Sequence, residues 1–373
     1  MKRFIIALVM VLPLLMTSCA GTGATEVEVN KQLITNAEWL SIIEGDGYTQ
    51  VEVLNPWKGN GELLQRYILV DRDSALADGY PKGTIVRTPL NNALVYSSIF
   101  TNAIAEVDGV ESIKGVCDAL YFKDEWVLDG LADGSIMDAG MSTAPNVERV
   151  IEMLPDGIIL TPFQNSGYGA IGTIGSPIIE CADYMETSAL GRAEWIKLFG
   201  ALYGKYEVAD SIFNATAERY NALVALTREL TEKPTVLVET MYSGVWYLPG
   251  GNSYMAKMLV DAGANYPWSG VEDSGSLALD FTQVYDKAED ADVWLVRSYD
   301  SDLTYASLLG IHPLNDKFKS FKEKKVWGSN TSRTSLYEEF PFHPDLLLKE
   351  YIAIFHPQVV AKDYKFRYFA PLE

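Results

Sequence analysis

Residues Gly167 to Gly172 read Gly-Tyr-Gly-Ala-Ile-Gly, the G-x-G-x-x-G spacing with which a turn brings backbone amides up to a dinucleotide pyrophosphate. That fingerprint also requires a helix next and an acidic residue about twenty positions on. Here a strand pattern starts at Pro177 and Asp183 comes too early, so the segment reads as a flexible lip on a lobe. His312, His343 and His356 each precede a proline, and none is spaced with Cys, Asp or another His as zinc ligands are. Structural roles are expected for them, and no metal site. Neither a G-x-S-x-G elbow nor a Walker loop is present, so no catalytic residue is assigned. The numerous carboxylates keep a secreted enzyme, with catalytic acids in a cleft, as the alternative reading.

A second stretch, GVWYLPGGNSYM (244–255), sets Trp246 and Tyr247 ahead of a Pro-Gly-Gly turn and the start of a helix. Glycine lets another group approach the backbone closely. Stiff, amphipathic rings make good ligand contacts, so the pair reads either as a ligand-facing lip or as a buried corner of a core.

The 373-residue chain is 48% hydrophobic and carries a formal net charge of -20. That length suits more than one domain, and that charge repels nucleic acid. Met1-Lys2-Arg3, an apolar run to Met16 and Thr17-Ser18-Cys19-Ala20 form a signal peptide over 1–19, too short in its apolar part to span a membrane comfortably. The segment resembles a bacterial lipobox, with Cys19 the residue that would be lipidated, and Met16 departs from the usual Leu. Cys117 and Cys181 lie in apolar strand-like runs and read as buried thiols.

The elements that must position these residues follow in order. A small, polar linker from Ala20 leads to YTQVEVLNPW and LQRYILVDR, strand patterns either side of a Gly-rich loop, read as a hairpin extension ending near residue 80. GTIVRTP (83–89), IKGVCDA (113–119), GIILTPF (157–163) and PIIECADY (177–184) are apolar runs separated by helix-length stretches. They predict a parallel sheet with helices on both faces over 81–204. Ligands gather at the carboxyl ends of such strands, where Arg87, Asp118, Phe163 and Tyr184 stand. KYEVADSIFNATAERYNALVALTREL lacks Gly and Pro. It places Val208, Ile212, Ala215, Tyr220, Leu223 and Leu226 at near-helical spacing, predicting one long helix within 205–232. PTVLVET, ADVWLVR and KKVWGSN then predict a second α/β lobe over 233–373.

This α/β architecture, two Rossmann-like lobes joined by one long α-helix, resembles the extracytoplasmic substrate-binding proteins of ABC importers for iron complexes and vitamin B12. The resemblance covers about residues 81 to 340. It rests on NVERVIEMLPDGIILTP (146–162), GGNSYMAKMLVDAGANYPW (250–268) and DKAEDADVWLV (286–296). DYMETSALGRAEWIKLFGALYG (183–204) is similar to the lipoprotein form found in Bacteroides-type bacteria. The resemblance implies a monomer without cofactor, tethered to the membrane by its lipid alone, that hands an iron chelate (siderophore or haem) or a corrinoid to a permease and its ATPase. It places Tyr247 and Trp268 among the aromatics that meet the ligand, beside Trp246. Across the cleft Arg87 would meet ligand carboxylates or else serve a salt bridge within its lobe, and Tyr96 and Tyr121 would add rings. Glu148 corresponds to the family's permease-docking glutamate. Thr282 stands where the second lobe usually has its own, which leaves Asp280 as the substitute. The segment behind Cys19, AGTGATE, lacks the acidic cluster of surface-exported lipoproteins, so a periplasmic location is expected. Between the ligands, Arg87 tilts the expectation towards iron complexes.

Overall fold

The computed structural model describes residues 31–373 apart from residues 60, 166, 361 and 362. Cys19 and the signal segment lie outside the described residues. Leu40–Gly45 and Tyr48–Leu54 pair antiparallel through a two-residue turn in which Gly47 takes a φ of 74°, a backbone conformation open to glycine without penalty. Leu63–Asp71 pairs with the second of these strands, as the strand patterns either side of the Gly-rich loop predict. Alternation buries Leu40, Ile42, Val51, Val53, Tyr67 and Leu69 on one face.

One expectation fails here. Thr84–Thr88 pairs in parallel with Leu63–Asp71 and completes this first, five-stranded sheet instead of opening the next one. The lobe sheet takes Ala93–Val95 in its place, giving the order Ile178–Glu180, Gly157–Leu160, Ala93–Val95, Ile113–Val116, Met137–Asp138, all parallel. Ala93–Val95 holds a single β-branched residue, Val95, where the strands read from the sequence carry two or more, so it shows weakly there. The amide of Glu180 donates to the Tyr67 hydroxyl at 2.8 Å and ties the two sheets together.

Tyr206–Arg228 is the long helix, about 34 Å at 1.5 Å per residue. Its buried stripe is Ala209, Phe213, Thr216, Tyr220, Val224 and Thr227. Ala209 and Phe213 belong to the apolar core of the first lobe, Tyr220 and Val224 to that of the second, so one helix face is shared by both. The stripe lies about one residue round from the predicted one, and Val208 and Leu226 are exposed. Two threonines enter it. Thr227 satisfies its hydroxyl by donating to Val224 O at 2.9 Å and Asp261 O at 2.6 Å, which makes burial tolerable.

In the second lobe Val236–Val238, Val293–Ser298 and Val326–Asn330 run parallel, with Ala370–Pro371 antiparallel at the edge. A small antiparallel sheet of Met241–Tyr242, Val245–Pro249 and Ser276–Leu279 packs beside them. The chain also crosses back: Phe342 is buried in the first lobe's core, 5.8 Å from Phe199, centroid to centroid.

Candidate functional site

Both parallel sheets end at one cleft. In the first lobe Tyr96 follows Ala93–Val95, Asp118 and Tyr121 follow Ile113–Val116, and Tyr184 follows Ile178–Glu180. In the second, Glu239 follows Val236–Val238, Arg297 and Tyr299 close Val293–Ser298, and Thr331 follows Val326–Asn330. Asp118 and Glu239 stand at φ of 55° and 62°, left-handed backbone that costs on the order of 1 kcal/mol for a residue with a Cβ. The cleft floor comes from 336–340, where Tyr337 and Phe340 rise.

Two hollows open there. One, of about 340 Å³, is lined by Tyr96, Asp118, Tyr121, Lys123, Tyr299 and Tyr337 among others. The other, of about 630 Å³, is lined by Tyr184, Arg192, Tyr247, Tyr254, Arg297 and Phe340, with Tyr337 again between them. A third, of about 710 Å³, lies in the first lobe under Tyr96, Thr161, Phe163 and Tyr168, against the turn Gly169–Thr173. That turn overlaps the G-x-G-x-x-G segment, whose Tyr168 hydroxyl donates to the Glu180 carboxylate. The predominance of tyrosine gives broad apolar faces with polar tips, the composition of a pocket for a bulky ligand with a few polar groups.

The charged residues are held by the protein itself. Arg192 donates to Asp183 at 2.9 Å and to the Tyr254 hydroxyl at 2.7 Å, and its guanidinium lies 5.0 Å from the Tyr254 centroid and 5.1 Å from that of Phe340. Burial works against the Arg192 charge, and Tyr254 and Asp183 more than offset it, so its pKa stands above the usual value. Arg297 pairs with Glu239 and lies 5.6 Å from the Tyr337 ring centroid. Lys123 reaches from the first lobe to the second, donating to Thr331 O at 2.5 Å and Thr334 O at 2.8 Å and pairing with Glu338 at 3.1 Å. Nearby, His343 Nε2 meets the Glu106 carboxylate at 2.7 Å and 2.9 Å, so the lobes are also fastened by polar groups.

Of the residues singled out in the sequence, Tyr96, Tyr121 and Tyr247 line these hollows, and Tyr247 is 47% exposed. Trp246, expected beside it, is instead fully buried. Its ring stacks 5.7 Å from Trp294, and its indole N–H donates to Val238 O at 3.0 Å. Strand alternation sends neighbours to opposite faces, so only one of the pair is free to face a ligand. Trp268 is likewise core, 5.6 Å from Tyr266. Arg87 lies on the first sheet, where it donates to Arg72 O at 2.6 Å and to Ser74 O. It lines none of the three hollows. Among the described residues it makes no salt bridge, and backbone carbonyls hold its Nη2.

Arg192, Tyr254, Tyr299, Arg297 and Tyr337 also line the hollows, though no sequence motif marks them. Applying the strand-end rule to VWLVRSY as well as to the first lobe finds Arg297 and Tyr299. Glu148 is exposed in the first turn of Val147–Met153. Asp280 is also exposed and caps Phe281–Ala288, accepting from Gln283 N while the Gln283 side chain accepts from Asp280 N. Cys117 and Cys181 are buried and unbridged. His312 stacks on Phe281 at 3.9 Å, and buried His356 contacts Gly263 O at 3.2 Å. Among the described residues no group of His, Cys, Asp and Glu is placed to hold a metal ion.

Residues 106–327 match the sequence profile of a family described as periplasmic binding protein. Similar curated proteins include an uncharacterized lipoprotein of Methanocaldococcus jannaschii. It is 27% identical over 304 residues, spanning 74% of this chain and 71% of its own. An uncharacterized protein of the same organism is 25% identical, over 77% of this chain and 88% of its own. Among solved structures, a periplasmic heme binding protein from Pseudomonas aeruginosa superposes with a TM-score of 0.59 at 15% identity, covering 76% of this chain and 98% of that one. A periplasmic vitamin B12 binding protein from Vibrio cholerae gives 0.53 at 12%, covering 71% and 96%. At these identities the likeness is one of fold.

Proposed function

The chain belongs to the periplasmic binding protein family, and from that premise we propose that it is the lipid-anchored binding component of an ABC importer for an iron chelate or a corrinoid. The observation that carries this reading is the convergence of two parallel sheets, by their carboxyl ends, on one tyrosine-lined cleft. A flat or bulky ligand is captured between the lobes, delivered to a permease and released unchanged, with no bond made or broken. The lipid on Cys19 keeps the body at the membrane on the periplasmic side, in keeping with a similar protein being a lipoprotein. Glu148 and Asp280, one exposed acid on each lobe, are the points of contact with the permease.

The shared helix Tyr206–Arg228 and the polar fastenings Lys123–Glu338 and His343–Glu106 favour small closing motions over a wide hinge swing. Titration of the purified protein with cyanocobalamin, haemin and a panel of ferric siderophores, followed by tryptophan quenching, tests the reading. Tight one-to-one binding of one compound, recovered chemically unaltered, supports it. A folded protein that binds none of them, or that converts one, sinks it.

A further inference from the structure

The cations that line the cleft hollows, among the described residues, are Lys123, Arg192 and Arg297. Each is already matched by an acid of the protein: Lys123 by Glu338 at 3.1 Å, Arg192 by Asp183 at 2.9 Å, Arg297 by Glu239. Lys123 also donates to two carbonyls and Arg192 to the Tyr254 hydroxyl. Two further lining acids have no such cation. The Asp118 carboxylate accepts from Ser142 N at 3.1 Å. That of Glu186 accepts from Glu38 N, Trp39 N and Trp195 Nε1. Among the described residues, none that lines the first-lobe hollow is charged.

A carboxylate entering this cleft would lose its hydration and find its candidate partners already paired. Taking one of them would strand a protein acid, a cost that is largest for the buried Arg192–Asp183 pair. The tyrosine faces add to this, because a ring presents negative potential on its face and attracts cations. Building on the transport reading above, we propose that the cleft selects a neutral or cationic ligand with a broad apolar body and amide-like polar groups, and discriminates against polycarboxylate and other polyanionic chelates. A corrinoid with its amides intact or a ferric trihydroxamate fits this chemistry. Haemin with ionised propionates and a ferric tricatecholate do not. The expectation of an iron complex based on Arg87 loses its footing by the same geometry, since Arg87 lines none of the hollows and its Nη2 is held by the carbonyls of Arg72 and Ser74.

The test uses pairs that differ chiefly in carboxylate charge, titrated calorimetrically into the purified protein: cyanocobalamin and its monocarboxylic acid, haemin dimethyl ester and haemin, an N-acetyl ferric trihydroxamate and its N-succinyl counterpart. In whichever pair binds, the form with fewer carboxylates should bind at least about tenfold tighter, a difference of about 1.4 kcal/mol. Added salt should narrow the gap by screening the repulsion. Equal or tighter binding of the carboxylate form overturns the inference while leaving the transport reading intact. No binding by either member of any pair overturns the transport reading itself. Glu239→Gln, which releases Arg297 from its acid, should shrink the gap in a variant shown by its melting curve to be folded. An unchanged gap there argues against pairing as its cause.

Discussion

Tyr121 of the first lobe and Tyr299 of the second meet edge to face, their ring centroids 5.5 Å apart and their planes at 68°. Each stands shortly beyond the carboxyl end of a parallel strand, and each is partly exposed at 49% and 40%. The pair therefore sits at the rim of the smaller hollow, one ring from each side, and joins the lobes there without a hydrogen bond.

An edge-to-face aromatic pair contributes about 0.5–1.5 kcal/mol beyond its buried area. Tyr121→Ala and Tyr299→Ala should therefore each weaken binding of the identified ligand by about 3- to 10-fold, chiefly through faster release. Rings that act as one contact are coupled, so the double substitution should lose little more than either single one. Losses that simply add in a double-mutant cycle would show that the rings act separately.

The His343–Glu106 contact makes stability depend on pH. Burial alone would lower the His343 pKa, and the Glu106 carboxylate outweighs it, holding it above the usual histidine value. The other groups facing the ring are Thr216 and Arg219 on the long helix and Asp345 on its own helix, with Arg219 opposing the charge. Because the folded pKa is raised, the contribution is fully present below about pH 6.5, the unfolded value. It is lost as pH climbs through the folded pKa. A charge-assisted hydrogen bond of this kind contributes about 2 kcal/mol. His343→Gln should accordingly lower the melting temperature at pH 6 and converge on the parent protein at alkaline pH. A deficit that stays constant across the range would assign the loss to packing.

Glu186 is a second titrating anchor, holding the segment that leads into the first sheet. Burial pushes its pKa up to about 7, although Glu38 N, Trp39 N and Trp195 Nε1 all donate to it. A carboxyl that prefers its proton in the folded state stabilises the fold below its unfolded value and loses that contribution as pH rises. The window here runs from about 4.5 to 7 and the loss amounts to roughly 3 kcal/mol. Denaturant unfolding of Glu186→Gln should show a flatter stability profile than the parent across that window. The same slope in both would mean another group is responsible.

How much of this was legible beforehand follows from burial and run length. The long helix announced itself by more than twenty residues without Gly or Pro, yet its buried face was misjudged because Thr216 and Thr227 lie in it. The strand Ala93–Val95, with one β-branched residue, leaves little pattern, and without it Arg87 is assigned to the lobe sheet instead of the first one. Asp118 and Tyr184 are within reach because the ends of their strands are readable, whereas Tyr96, after Ala93–Val95, and Tyr121 come only with the family resemblance. Tyr337 and Phe340 are not within reach, since they come from the short segment 336–340, whose position depends on Phe342 entering the first lobe's core.

The adjacent residues Trp246 and Tyr247 give the sharpest separation of fold from function. On one strand, alternate side chains point to opposite faces. Trp246 goes inward, fully buried among Trp294 and Phe318 with its N–H satisfied by Val238 O. Tyr247 goes outward to the wall of the larger hollow. Removing a buried indole leaves a cavity and an unpaired carbonyl, so Trp246→Ala should destabilise the protein by about 3–5 kcal/mol. It should weaken ligand binding only where the second lobe unfolds. Tyr247→Ala removes a half-exposed ring and should leave stability within about 0.5 kcal/mol, while weakening ligand binding severalfold. Urea unfolding and ligand titration of both variants read the two effects independently. If Tyr247→Ala binds like the parent protein while remaining folded, the ligand does not touch this wall, and the smaller hollow under Tyr121 and Tyr299 becomes the binding position.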